Sequence, residues 1–282
     1  MNYYIIPKNN FNIQINPLVK PDVINPFISY SLIYFLNNIY TQLLNIDEFK
    51  TDDSTSNITS KNETTIEYIN RIINPFEFIH TNVPGSSLSV SKVKPSSNIF
   101  FELMEVFQLC NITDILSVKK QINIAHLTSN NSSTIDLLNM LREDNDDYII
   151  DIEFNYKTIY KNFIETRIDI KLDLLIFEFK EEDYIDTRQY INNMLLVLYI
   201  IVNNQSNMGT SVIKIDNIFY KSIVDILFIF SAIFEKVFLI KPSISKVTKG
   251  ERFIICKGMD IDTVSHTKLL QQLNKYFKEL PI

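Results

Sequence analysis

Short apolar runs alternate with helical stripes through the carboxyl-terminal half of the chain, and this order constrains the fold more than any other feature. The runs are Gln121–Leu127, Tyr148–Phe154, Leu172–Phe179, Thr210–Asp216, Lys236–Ile240 and Arg252–Lys257. Between them lie segments with a helical period: Thr134–Arg142, the stretch from an Asp186 cap to Val202, and Phe219–Ile233. A last helix is expected over Thr267–Glu279. Upstream, Ser96 or Ser97 can cap a helix to Leu109 that carries Ile99, Leu103, Val106 and Phe107 on one stripe. Strands this short, alternating with helices, predict an α/β fold: a mostly parallel central sheet with helices on both faces. Ligands of such sheets bind at the carboxyl ends of the strands. The positions to inspect are therefore those just after Leu127 and near Glu178, Lys214 and Glu251.

Residues 1–66 read as an N-terminal extension. Pro7, Pro17, Pro21 and Pro26 mark extended pieces, one apolar helix covers about Ile28 to Leu44, and the polar stretch DEFKTDDSTSNITSKNETT is a linker. Residues 67–282 form the main domain. The most apolar run, Ile223 to Ile240, is interrupted by Asp225, Glu235 and Lys236. A membrane span needs roughly 18 or more apolar residues without charges, so a helix followed by a buried strand is the better reading.

Composition excludes several functions. The chain has only 4 glycines, Gly85, Gly209, Gly250 and Gly258. There is no Walker A loop, no G-x-G-x-x-G turn and no G-x-S-x-G elbow. Any nucleotide cradle must be made without glycine. The net charge of −6 argues against nonspecific polyanion binding by the whole molecule. The charge is uneven, however: Lys214, Lys221, Lys236, Lys241, Lys246, Lys249, Arg252 and Lys257 dominate 214–257, while acids dominate 143–153. Cys110 and Cys256 lie apart in apolar surroundings and are expected to be reduced, buried thiols. His80, His126 and His266 are isolated, which argues against a metal site, and none is expected.

Lys214 stands inside the apolar run Val212-Ile213-Lys214-Ile215. Burying it is costly unless it is paired; the alternative is an edge or snorkelling position. Lys241, in Leu239-Ile240-Lys241-Pro242, carries the same ambiguity. Glu178 ends an apolar strand and reads either as a site acid or as a solvated strand end.

Together, Lys214, Glu235-Lys236-Val237, Lys241-Pro242 with Ser245-Lys246, and Gly250-Glu251-Arg252-Phe253 occur in an order that resembles the FtsJ-like cap-specific mRNA 2′-O-methyltransferases, in the form found in large DNA viruses. Asn74 to Thr81 and Ser89-Val90-Ser91-Lys92 resemble the start of the same domain. The resemblance covers about residues 67–258. It implies a Rossmann-like methyltransferase fold and a Lys-Asp-Lys-Glu tetrad, in which clustered lysines lower one another's pKa so that one assists loss of a ribose 2′-OH proton. By motif the tetrad falls on Lys92, with Lys94 as second choice, and on Glu178, Lys214 and Glu251. Glu178 replaces the family's aspartate, and Phe179 and Lys180 replace the glycines that usually follow.

The larger departure is at the methyl donor. The family's glycine-rich turn corresponds to Thr128, Ser129, Asn130, Asn131, Ser132 and Ser133, in which every glycine is gone. Side chains there obstruct the approach of S-adenosylmethionine, while their hydroxyls can still cap the next helix. The resemblance therefore implies a catalytically silent homologue with no cofactor. Its expected partners are capped mRNA, through Lys241, Lys246, Lys249 and Arg252, or another subunit of a viral transcription, capping or polyadenylation assembly. The expected location is inside the cell, in the host cytoplasm or packaged in the virion. Two alternatives stay open: an active S-adenosylmethionine-dependent cap 2′-O-methyltransferase, and a virion-structural or protein-interaction module.

Overall fold

The computed structural model describes residues 2–10, 13–15, 28–45, 72–78, 91–128, 133–143, 145–153, 155–165, 170–179, 186–247 and 249–279. Its centre is a 7-stranded sheet. In chain order the strands are β1 (Asn2–Ile6), β2 (Asn123–Thr128), β3 (Tyr148–Glu153), β4 (Leu172–Glu178), β5 (Gln205–Ile215), β6 (Phe234–Lys241) and β7 (Arg252–Met259). The helices used below are α1 (Tyr30–Asn45), α2 (Ile99–Leu109), α3 (Ile112–Val118), α4 (Thr134–Leu141), α5 (Tyr156–Ile159), α6 (Thr187–Asn204), α7 (Lys221–Ile233) and α8 (Thr263–Glu279).

The spatial order is β1-β6-β7-β5-β4-β2-β3. β2 pairs in parallel with β3 and β4, and β4 with β5. β7 runs antiparallel between β5 and β6, and β1 runs antiparallel on the outer side of β6. So β2 to β6 share one direction, and the expected α/β architecture, mostly parallel by strand direction, is the one observed. The chain leaves β2 toward β3 on one side and later returns to β4 on the other. That reversal makes the carboxyl ends of β2 and β4 a topological switch point.

Alternation along the strands sorts the core. Ala125, Leu127, Leu175, Phe177, Ile213 and Ile215 point to one face, in a cluster with residues of α6, α7 and α8. Ile124, Leu174, Ile176, Val212, Phe253 and Ile255 point to the other, in a cluster with residues of α2, α3 and α4. All of these strand residues are at most 1% exposed, as a sheet covered on both faces requires. α6 is apolar all round, with Leu195 to Val202 buried in an unbroken run, and this identifies it as an interior helix. Its start matches the expectation: the Asp186 side chain accepts from the Arg188 amide.

Three local differences have physical causes. The residue before α2 is Asn98, whose side chain makes no capping bond; Ser97 is instead hydrogen-bonded to Ser133. β5 begins at Gln205, because the Gln205 side-chain amide donates to the Leu172 and Asp173 carbonyls and its oxygen accepts from Ser211. The resulting bulge puts Met208 at φ 61 and needs Gly209, where a Cβ would come within 2.2 Å of the Gln205 amide nitrogen. β1 lies within the expected extension but joins the main sheet through the register Tyr3↔Ile240 and Ile5↔Phe238.

Candidate functional site: a cavity at the switch point

The same alternation that buries Leu174, Ile176 and Val212 carries Glu178 and Lys214 to that face one step further along their strands. The two are direct neighbours in the β4–β5 register, the next pair on this face after Ile176↔Val212. Thr128 ends β2 on this face, opposite Glu178. Glu251 precedes β7, whose Phe253 lies opposite Lys214. A polar rim therefore rises from an apolar core at one edge of the sheet. It surrounds a cavity of about 250 Å³ whose wall includes Glu102, Thr128, Glu178, Lys214, Glu251 and, from the following turn, Lys246 and Lys249.

Lys214 lies between two acids. Its Nζ is 3.2 Å from Glu102 Oε2 and 3.6 Å from Glu251 Oε2, with only 15% of the side chain exposed. Burial works to lower the Lys214 pKa, but the carboxylates of Glu102, Glu251 and Glu178 outweigh it and hold the group above its ordinary value. Glu102 moves the same way for a different reason. Burial raises its pKa, Lys214 opposes that shift and Glu251 adds to it. Glu102 Oε2 is close enough for the Lys214 ammonium to neutralise it and donate to it.

Glu178 belongs to a second chain of contacts. His126, 1% exposed in the middle of β2, bridges two acids: Nδ1 is 2.9 Å from Asp151 on β3 and Nε2 is 3.0 Å from Glu178 on β4. Thr134, at the start of α4, donates a hydrogen bond to Glu178, and Thr128 lies 3.5 Å from its other oxygen. Burial works to lower the His126 pKa, whereas hydrogen bonds and charge from Glu178 and Asp151 raise it further; the net shift is upward.

The expected residues meet unequal fates. Glu178, Lys214 and Glu251 come together, with Lys246 and Lys249 on the same cavity. Lys241 points instead into its own turn, donating to the Lys246 and Lys249 carbonyls. Arg252 donates to the Gly250 carbonyl. Lys92 is exposed and does not line the cavity; the group beside Lys214 is Glu102. Thr128 lines the cavity, and Ser133 is buried and bonded to Ser97. Ser129, Asn130, Asn131, Ser132 and Lys180 lie outside the described residues. Sequence reasoning missed Glu102, Thr134 and the His126–Asp151 link. Glu102 was within reach, since it is three residues after Ile99 and so shares the buried stripe of α2.

The turn over the cavity is built rigidly. Glu105 accepts from the Ser243 and Ile244 amides, Asn74 donates to the Ser243 and Ser245 carbonyls, and Ser245 is buried. Among the described residues no group of three or more His, Cys, Asp or Glu is placed to hold a metal ion. No described helix is long and apolar enough to cross a membrane. Cys110 and Cys256 are buried and free, and burial pushes the Cys110 thiol up to about 11.

The described residues offer little room for S-adenosylmethionine, which the resemblance implies for an active enzyme. A pocket for a ligand of that size is roughly 300–1,000 Å³, larger than the 250 Å³ found. Phe179 fills the edge beside Glu178, 6% exposed and edge-on to Tyr190. The Glu178 carboxylate is already committed to His126 and Thr134.

No family model and no curated protein matches this chain. Solved structures similar to it include the following three. A ribosomal RNA methyltransferase from Plasmodium falciparum aligns at 14% identity and TM-score 0.42, over 58% of this chain and 97% of that one. A protein described as a hemolysin from Streptococcus thermophilus aligns at 12% and 0.38, over 69% and 83%. Human methyltransferase-like protein 13, in complex with SAH, aligns at 7% and 0.33, over 66% and 95%. Alignments this loose assign no activity to the chain.

Proposed function

We propose that this chain is a methyltransferase-like domain that has lost methyl transfer and keeps a binding role toward RNA or a partner in viral mRNA processing. The observation that carries the reading is the pairing of Lys214 with Glu102, an acid outside the expected tetrad, in a cavity that Lys92 does not line. A lysine that assists loss of a ribose proton needs its pKa lowered toward the working pH. A neighbouring lysine would do that; a carboxylate does the opposite. Lys214 is therefore a fixed ammonium, able to donate hydrogen bonds and balance charge but poor at accepting a proton. The obstruction at Phe179 and the committed state of Glu178 support the same reading from the donor side.

The binding role rests on Lys246 and Lys249, which line the cavity on a turn held by Glu105 and Asn74. A test uses a short capped RNA and fluorescence anisotropy at several salt concentrations. Affinity should fall with salt, and the Lys246→Glu, Lys249→Glu double variant should flatten the slope of log K against log salt by about 1 or more. Unchanged slope and affinity would assign the lysines to a solvated face and favour a module that binds protein alone.

A further inference from the structure

We propose that α1 is a self-association helix, whose apolar face packs against the same face of a second copy of this chain. The proposal stands apart from the cavity and from any role of Lys214.

The sequence of the helix sets the surface. α1 has 16 residues and not one charged side chain. At about 3.6 residues per turn, positions 32, 35, 36, 39 and 43, all Leu, Phe or Ile, fall within about 100° of arc, and Ile33 and Tyr40 widen it by about 60°. Ser31, Asn37, Asn38, Thr41 and Gln42 occupy the remaining side. A helix with an apolar stripe this wide ordinarily buries it. Here Leu32, Phe35, Leu36 and Ile39 are 43–59% exposed. Among the described residues, none of α1 belongs to either core cluster. The stripe is therefore finished but not used by the fold of a single chain.

Charge and area select the occupant. A helix that lies on a lipid surface sets Lys and Arg along its polar side, and α1 has neither. Its 16 residues also fall short of the roughly 20 needed to span a bilayer. A strongly acidic or basic partner finds no opposite charge on it. What fits is an uncharged apolar stripe of equal length, and α1 itself is one. A two-fold axis brings the two stripes face to face, with the same residues contributed by each copy. A helix of this size is about 24 Å long. Two stripes of this width packed along that length cover about 1,000 Å², the least that a specific interface needs. The missing charge matters once more. Each chain carries a net charge of −6, so two copies repel one another. α1 adds nothing to that repulsion, and the polar stretch DEFKTDDSTSNITSKNETT stands between it and the main domain in the sequence.

Sedimentation equilibrium of the full chain tests the proposal. An interface at the lower size limit gives a dimer that dissociates in the micromolar range. The mass should therefore rise with concentration from 33.0 kDa toward twice that value. Leu36→Lys together with Ile39→Lys should raise the dissociation constant at least tenfold. Thr41→Lys adds the same charge on the opposite side of the helix and should change it by less than about twofold. Lysine is a good helix former and α1 lies outside both core clusters, so circular dichroism and the melting curve should be the same for all three chains. A parent chain that stays at 33.0 kDa up to about 100 μM overturns the proposal. If that monomer binds phosphatidylcholine vesicles and the double variant does not, the stripe belongs to lipid instead. Association that survives Leu36→Lys with Ile39→Lys also overturns it, because the contact then lies elsewhere on the chain.

Discussion

Two polar clusters meet at the carboxyl edge of the sheet, and they differ in how completely they are satisfied. On the β2 side, His126 is held by Asp151 and Glu178, and Glu178 by Thr134. On the β5 side, Lys214 faces two acids at ion-pair distance, and all three line the cavity. A closed network makes the fold more specific and leaves little to offer a ligand. An open one leaves groups whose demands a ligand can meet. The scaffold role falls to the His126 side and the proposed binding role to the Lys214 side, although both line one edge.

The largest expected effect breaks the closed network. His126→Ala should cost about 3–5 kcal/mol in urea unfolding, since it leaves the Glu178 and Asp151 carboxylates without their bridge. The effect depends on pH. The folded His126 pKa lies above the ordinary 6.5. Its contribution is then full below pH 6.5 and is lost as pH rises through the folded value. The variant should therefore differ most from the parent at mildly acid pH and least at alkaline pH. Equal differences at all pH values would mean that His126 acts by packing alone.

Lys214→Ala should cost somewhat less, about 3 kcal/mol, because Glu102, whose pKa burial already raises, can take up a proton once the ammonium is gone. If its cost exceeds that of His126→Ala, the ranking of the two clusters reverses.

Glu102→Gln should cost under about 1 kcal/mol at neutral pH. Its folded pKa lies above the ordinary 4.5, so the stability it gives is present below that value and lost as pH rises through the folded one. At pH 7 a buried glutamine loses little by comparison. A cost as large as that of His126→Ala would make Glu102 a structural acid and close the distinction.

The fold was legible because period-2 runs and helical stripes follow from burial alone. β2 to β7 and α2, α4, α6, α7 and α8 all fall where the pattern put them, apart from shifted ends. The N-terminal strand was harder: Tyr3 and Ile5 are exposed on an edge, and only pairing with β6 defines them. Glu178, Lys214 and Glu251 were legible as polar residues where apolar strands stop. Glu102 was within reach from its place three residues after Ile99, but a lone acid in a helix reads first as solvated. The motif alone led to Lys92, which has a matching local sequence but, lying outside any strand or helix, no periodic signal to say which way it faces.

The most direct measurement is a calorimetric titration of the full chain with S-adenosylmethionine. The account predicts no binding up to millimolar donor and no methyl transfer to capped RNA. Micromolar binding, with transfer abolished by Lys214→Ala, would contradict it.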